Sequence, residues 1–130
     1  MLPILGASLR PENLATHHNW LREKPRDLEL IGFHEPPFGE DARADAEAVK
    51  PHLEGLEGRI GVHGPFRGFA LDTEDADVRA VIHKRLDQAL DLSGWIDATQ
   101  IVLHSPVKAW HHENLLNADE GWGMFVDRVE

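Results

Sequence analysis

Short apolar runs alternate along this chain with stretches in which hydrophobic positions recur every three or four residues. The runs Leu2 to Ala7, Leu28 to Phe33, Arg59 to Val62 and Thr99 to Leu103 have the length and continuity of buried strands. Between them the spacing predicts helices. The first carries Leu14, His17 or His18 and Leu21, and ends near Lys24-Pro25. The second carries Ala42, Ala46, Val49, Leu53 and Leu56, with Pro51 a predicted kink and Gly58 a terminator. The third carries Val78, Ile82, Leu86, Ala89 and Leu90, with Asp72 or Thr73 as N-cap and Gly94 as C-cap. A fourth helix is predicted over 118–130, with Trp122, Phe125, Val126 and Val129 near one face.

A strand–helix alternation repeated four times implies a parallel sheet with crossover helices, in one α/β domain over residues 1–130. Strands apolar on both faces fit a sheet covered on both sides. An open doubly wound sheet and a barrel both suit this order. Leu5-Gly6-Ala7-Ser8-Leu9-Arg10 lacks the glycines of a dinucleotide fingerprint, and no Walker sequence occurs, which weakens the open-sheet nucleotide reading.

Composition removes several classes of function. There is no cysteine, so disulfides, thiolate zinc sites and cysteine nucleophiles are excluded. The net charge of -10 argues against a general nucleic-acid binder. No run is apolar enough to span a membrane and the start lacks a signal-peptide pattern, so cytoplasmic residence is the default expectation.

The candidate chemistry lies at two strand ends. Arg59-Ile60-Gly61-Val62-His63-Gly64-Pro65-Phe66 and Gln100-Ile101-Val102-Leu103-His104-Ser105-Pro106 both deliver a histidine and then break on proline. In parallel α/β folds the carboxyl ends of strands hold the active site. By strand alternation Gly61 and His63 share one face, as do Val102 and His104. Two imidazoles on neighbouring strands suggest a divalent-metal site or a polar substrate pocket.

These motifs, with Leu28-Glu29-Leu30 on the second strand, resemble the xylose isomerase-like TIM-barrel superfamily. That group holds sugar and sugar-phosphate isomerases and epimerases and the endonuclease IV repair enzymes. A TIM barrel takes about 250 residues and eight βα units. The resemblance therefore implies four βα units of a (β/α)8 barrel, the N-terminal half. The expectation is a fragment of a longer protein, or a half-barrel that pairs with a second copy as a homo-oligomer.

The resemblance implies substrate contacts for Glu29, His34, His63, Phe66 and His104, with His63 and His104 as ligands of a divalent zinc, manganese or magnesium ion. The implied substrate is a small sugar or sugar phosphate, and the implied reaction a metal-dependent proton transfer next to a carbonyl. In the family the catalytic acid or base and the metal-binding carboxylates come largely from later strands, so no catalytic residue is assigned here. The alternatives are an endonuclease IV-like zinc phosphodiesterase and a non-catalytic binding module. Glu29 and His34 have conflicting parity on a regular strand. Phe69, Trp110, His111 and His112 are loop candidates; Trp20, Trp95 and Trp122 read as core; Glu74 and Asp75 are explained by the start of a helix.

Overall fold

A computed structural model describes residues 4–33, 40–66 and 73–104. The elements, in chain order, are β1 (Gly6–Leu9), α1 (Leu14–Arg22), β2 (Asp27–Leu30), α2 (Ala42–Leu53), β3 (Ile60–His63), α3 (Ala76–Trp95) and β4 (Gln100–Val102). The strands form a parallel sheet in the order β1-β2-β3-β4. This is a mixed α/β protein, as the alternation predicted. The order follows the chain without reversal, unlike that of doubly wound sheets, which turn back at a switch point.

The chain divides into two compact units, residues 1–65 with 84–103, and residues 66–83 with 104–130. The first unit holds the sheet and one hydrophobic core. Leu28, Leu30 and Val62 from the strands meet Leu14 and Leu21 of α1, Ala46 and Val49 of α2, and Leu92 of α3. Leu9 and Ile60 pack against the same cluster. All these strand residues share one parity, so the helices cover the same face of the sheet. The other face carries Ser8, Glu29, Gly61, His63 and Gln100. The sheet is therefore apolar on one side only, not on both.

Several element ends differ from those expected. β1 runs from Gly6 to Leu9, past the expected end at Ala7, because its ladder to Asp27–Leu30 includes Ser8 and Leu9; Leu2 and Pro3 lie outside the described residues. Ile4 and Leu5 before it are exposed. β2 stops at Leu30, and Gly32 at φ 92 turns the chain out of the sheet. α2 runs through Pro51 to Leu53. Its N-cap is Asp41, whose Oδ1 accepts the N–H groups of Arg43 and Ala44 at 3.0 and 3.1 Å.

In α3 the cap is Asp75, not Thr73: its carboxylate accepts from the N–H groups of Asp77 and Val78, both at 3.0 Å. Asp72 lies outside the described residues. The buried stripe is Ile82, Ala89, Leu92 and Ile96, while Val78 and Leu90 are exposed. Leu90 sits one residue, and so about a quarter turn, from Ala89. The helix also passes Gly94. It ends instead on Asp97 at φ 56, where Ala98 N–H reaches Ser93 O at 2.8 Å and Asp97 N–H reaches Gly94 O at 3.4 Å. That is a Schellman closure with aspartate in the position glycine usually takes. Trp20 packs against the core under the Arg26 guanidinium, but Trp95 is 44% exposed and is not a core residue.

Candidate functional site

The register brings one residue of each of the four strands into one row, polar in all but β3. Ser8 pairs with Glu29, Glu29 with Gly61, and Gly61 with Gln100. Partners across a parallel ladder point to the same face, and neighbouring strands lie about 4.8 Å apart. One step toward the carboxyl end, His63 is registered against Val102.

Within this array His63 Nδ1 lies 2.6 Å from Glu29 Oε1, a diagonal contact between β2 and β3. A carboxylate only accepts hydrogen bonds, so the imidazole presents Nδ1–H to it. In the neutral ring this fixes the tautomer and leaves the basic lone pair on Nε2. Ser8 Oγ makes a long contact, 3.5 Å, to the same oxygen. The His63 side chain is 15% exposed and that of Glu29 30%. A charge-assisted hydrogen bond in such a half-covered place is stronger than one on open surface.

His63 also lines a cleft at the carboxyl end of β3, between α2 and α3. Phe33, Asp45, Arg85, Gln88 and Leu92 are among the other walls. Asp45 is buried, at 7% exposure, the one charged residue so placed among the described residues. Gln88 ties α3 to the segment before α2, donating from Nε2 to Glu40 O at 3.0 Å, and accepts from Arg85 Nη1 of its own helix at 2.9 Å. The site therefore offers a carboxylate-oriented imidazole beside a cleft with apolar and charged walls.

At the opposite, amino-terminal end of the same sheet face, Asp27 and Arg59 form an ion pair. Asp27 accepts the Arg59 backbone N–H at 2.9 Å and, through its other oxygen, guanidinium nitrogens Nε and Nη2. The guanidinium hydrogen bonds hold the Asp27 carboxyl below its ordinary value, the backbone N–H adding to the effect, and the carboxylate raises Arg59 in turn.

The expected site residues thus fall into separate groups. Glu29 and His63 meet in the first unit. Phe66 and His104 stack on each other in the second, with ring centroids 4.6 Å apart and planes at 29°. His104 lies beyond the last residue of β4, and the residue beside His63 in the ladder is Val102. His34, Phe69, Trp110, His111, His112 and Trp122 lie outside the described residues. Ser8, Gln100, Asp45 and Arg85 were not singled out from sequence. The parity of Ser8 and Gln100 was readable, but nothing in a lone serine or glutamine marks it.

Among the described residues no group of three or more His, Asp or Glu side chains is arranged to hold a metal ion. Glu29 and His63 supply two donors, and they are bonded to each other. This donor set does not make the four-coordinate site that a structural or catalytic zinc needs. Among the same residues no helix is long and apolar enough to cross a membrane. No family model, curated protein or solved structure matches this chain.

Proposed function

We propose that this chain carries part of the substrate pocket of a sugar or sugar-phosphate isomerase- or epimerase-like enzyme built as a (β/α)8 barrel. The observation that carries the reading is the 2.6 Å contact between Glu29 and His63 on the helix-free face of the sheet. His63 sits at the carboxyl end of β3, where parallel barrels keep their chemistry. The chain-ordered strands, with helices on one face, support a barrel arc rather than a doubly wound sheet.

In this reading Glu29 orients His63, and Nε2 is the base. A C–H bond next to a carbonyl breaks and its proton goes to Nε2. The electron pair moves into the carbonyl as an enolate forms. Protonation of the opposite face by a water molecule epimerises that carbon, the His63 proton passing to the hydroxide left behind. Return of the proton to the neighbouring carbon, with the hydroxyl proton crossing to the former carbonyl oxygen, isomerises the sugar. General base catalysis of this kind contributes about 10²- to 10⁴-fold. The zinc phosphodiesterase reading is weaker, because phosphodiester recognition needs a cationic face and the chain carries a net charge of -10.

The test is an NMR titration of the 130-residue chain with aldoses, ketoses and their phosphates, run in D₂O to read exchange next to the carbonyl. The expected result is amide shifts at Glu29 and at residues 61–64. Exchange should fall by about 10²-fold or more in His63→Ala and Glu29→Ala. Shifts that map elsewhere, or exchange unchanged in both variants, overturn the reading. The half-barrel component has its own check: a sharp unfolding transition of a monomer with no dye-accessible apolar surface speaks against it.

A further inference from the structure

The row that holds Glu29 does not end with its histidine. Ser8 stands on one side, and on the other Gly61 separates Glu29 from Gln100. Ser8 and Gln100 are exposed. Gly61 has no side chain, and the space where its Cβ would stand is taken. An ideal Cβ there would lie 2.7 Å from Gln100 Cγ and 2.9 Å from its Nε2. The Gln100 side chain therefore folds over β3, toward the strand that bears Glu29.

The result is a hydroxyl, a carboxylate, an imidazole and a carboxamide on one sheet face. Hydroxyl and carboxamide both donate and accept, and the carboxylate accepts. Such a mixture matches a molecule that presents several hydroxyl groups, each of which also donates and accepts.

The charge on this face narrows the ligand further. Among the described residues the row holds one carboxylate and no cation. Two guanidinium groups share the parity of the row, and both are engaged: Arg59 by Asp27, and Arg10, two residues past Ser8, by Glu12 at 2.7 Å. A phosphate placed on the row would meet the Glu29 charge with no counter-charge there. Glu29 in turn already accepts from His63 and, more weakly, from Ser8, which lowers its pull on an ammonium group.

We propose that this row binds an uncharged polyol or unphosphorylated sugar, with Ser8 and Gln100 as ligand contacts and Gly61 as the positioning residue that lets Gln100 lie across β3. The proposal rests on the pocket reading above and names its substrate class. Gly61 acts only through Gln100. Its absent methyl is what keeps the carboxamide near the Glu29–His63 pair.

The test is calorimetric titration of the full chain with D-fructose, myo-inositol and fructose 6-phosphate. The proteins are the wild type, Ser8→Ala, Gln100→Ala, Gly61→Ala and the double variant Gly61→Ala/Gln100→Ala, with circular dichroism to verify folding. The uncharged ligands should bind at least about tenfold more tightly than the phosphate. A lost neutral hydrogen bond is worth roughly 1 kcal/mol, so Ser8→Ala and Gln100→Ala should each weaken binding about three- to tenfold. Gly61→Ala should weaken it as much as Gln100→Ala, and the double variant no further, a non-additivity that a merely structural glycine would not produce.

Tighter binding of fructose 6-phosphate overturns the substrate class. Unchanged affinity in Ser8→Ala and Gln100→Ala overturns the contacts. If Glu29→Ala and His63→Ala lose the ligand in either case, the pocket reading stands and only this proposal falls. If no variant alters binding, or no sugar binds, both fall.

Discussion

Asp27 receives Arg59 twice, by its backbone N–H at 2.9 Å and by its guanidinium. One aspartate at the start of β2 thereby seals the entry of β3 into the sheet. The contact ties backbone to side chain across 32 residues of chain, so it helps set the β2–β3 register, on which the Glu29–His63 contact depends.

Acid should reveal this link. The Asp27 carboxyl titrates below its ordinary 3.8 in the folded protein, first through the guanidinium hydrogen bonds and then the backbone N–H. A group depressed on folding adds stability above its unfolded value and loses it as pH falls through the folded one. Urea midpoints of wild type and Asp27→Asn should differ most near pH 6 and converge below 3.8. A difference that persists unchanged at pH 2 contradicts the assignment. The Arg59 side chain is 65% exposed, so added salt should also shrink the difference.

Two glycines should respond in opposite directions. A Cβ on Gly58 would lie 1.6 Å from the carbonyl oxygen of Arg26, a backbone atom that cannot swing away. Gly58→Ala should cost at least about 2 kcal/mol, by analogy with overpacked cores. Gly94 lies inside α3 with nothing within 4 Å of its would-be Cβ. Gly94→Ala should stabilise the protein by about 0.5–1 kcal/mol. Urea unfolding of both variants reads the signs directly.

The end of α3 holds a third test. Asp97 occupies the left-handed region at φ 56, where a side chain is strained and glycine is not. Asp97→Gly should raise the melting temperature, with a gain of up to about 1 kcal/mol. Asp97→Val, β-branched, should lower it. If glycine proves neutral and valine harmless, the Schellman closure does not govern this helix end.

The tautomer of His63 offers the most direct view of the site. Imidazole ¹⁵N shifts should show Nδ1 protonated in the wild-type protein. Glu29→Ala removes the acceptor and should let the ring redistribute toward the Nε2–H form. Ser8→Ala should leave the tautomer alone, since its 3.5 Å contact is to the carboxylate and not to the ring. An Nε2–H ring in the wild type would disprove the contact.

Much of the fold could be read from local pattern. Leu28 and Leu30 on one side of Glu29, or Ile82 and Ala89 along α3, repeat with the period of their own element, and burial follows that period. Strand–helix alternation, parallel pairing and the parity of Gly61 with His63 needed no tertiary information. Element ends were less legible. Asp75 and Thr73 are both competent caps, and Gly94 and Asp97 both plausible stops; the choice fell to backbone bonds formed around them.

The site belongs to long-range register. Glu29 and His63 stand 34 residues apart, and no local rule says that one lands diagonal to the other. The same alignment sets Val102 beside His63, so two similar motifs, each ending in histidine, do not deliver their rings to equivalent rungs. Ser8, Gly61 and Gln100 are unremarkable in the chain and become a row only when four strands lie in step. Side-chain periodicity is a property of one segment, whereas proximity across a sheet depends on hydrogen bonds between segments, which exist only after the chain has folded.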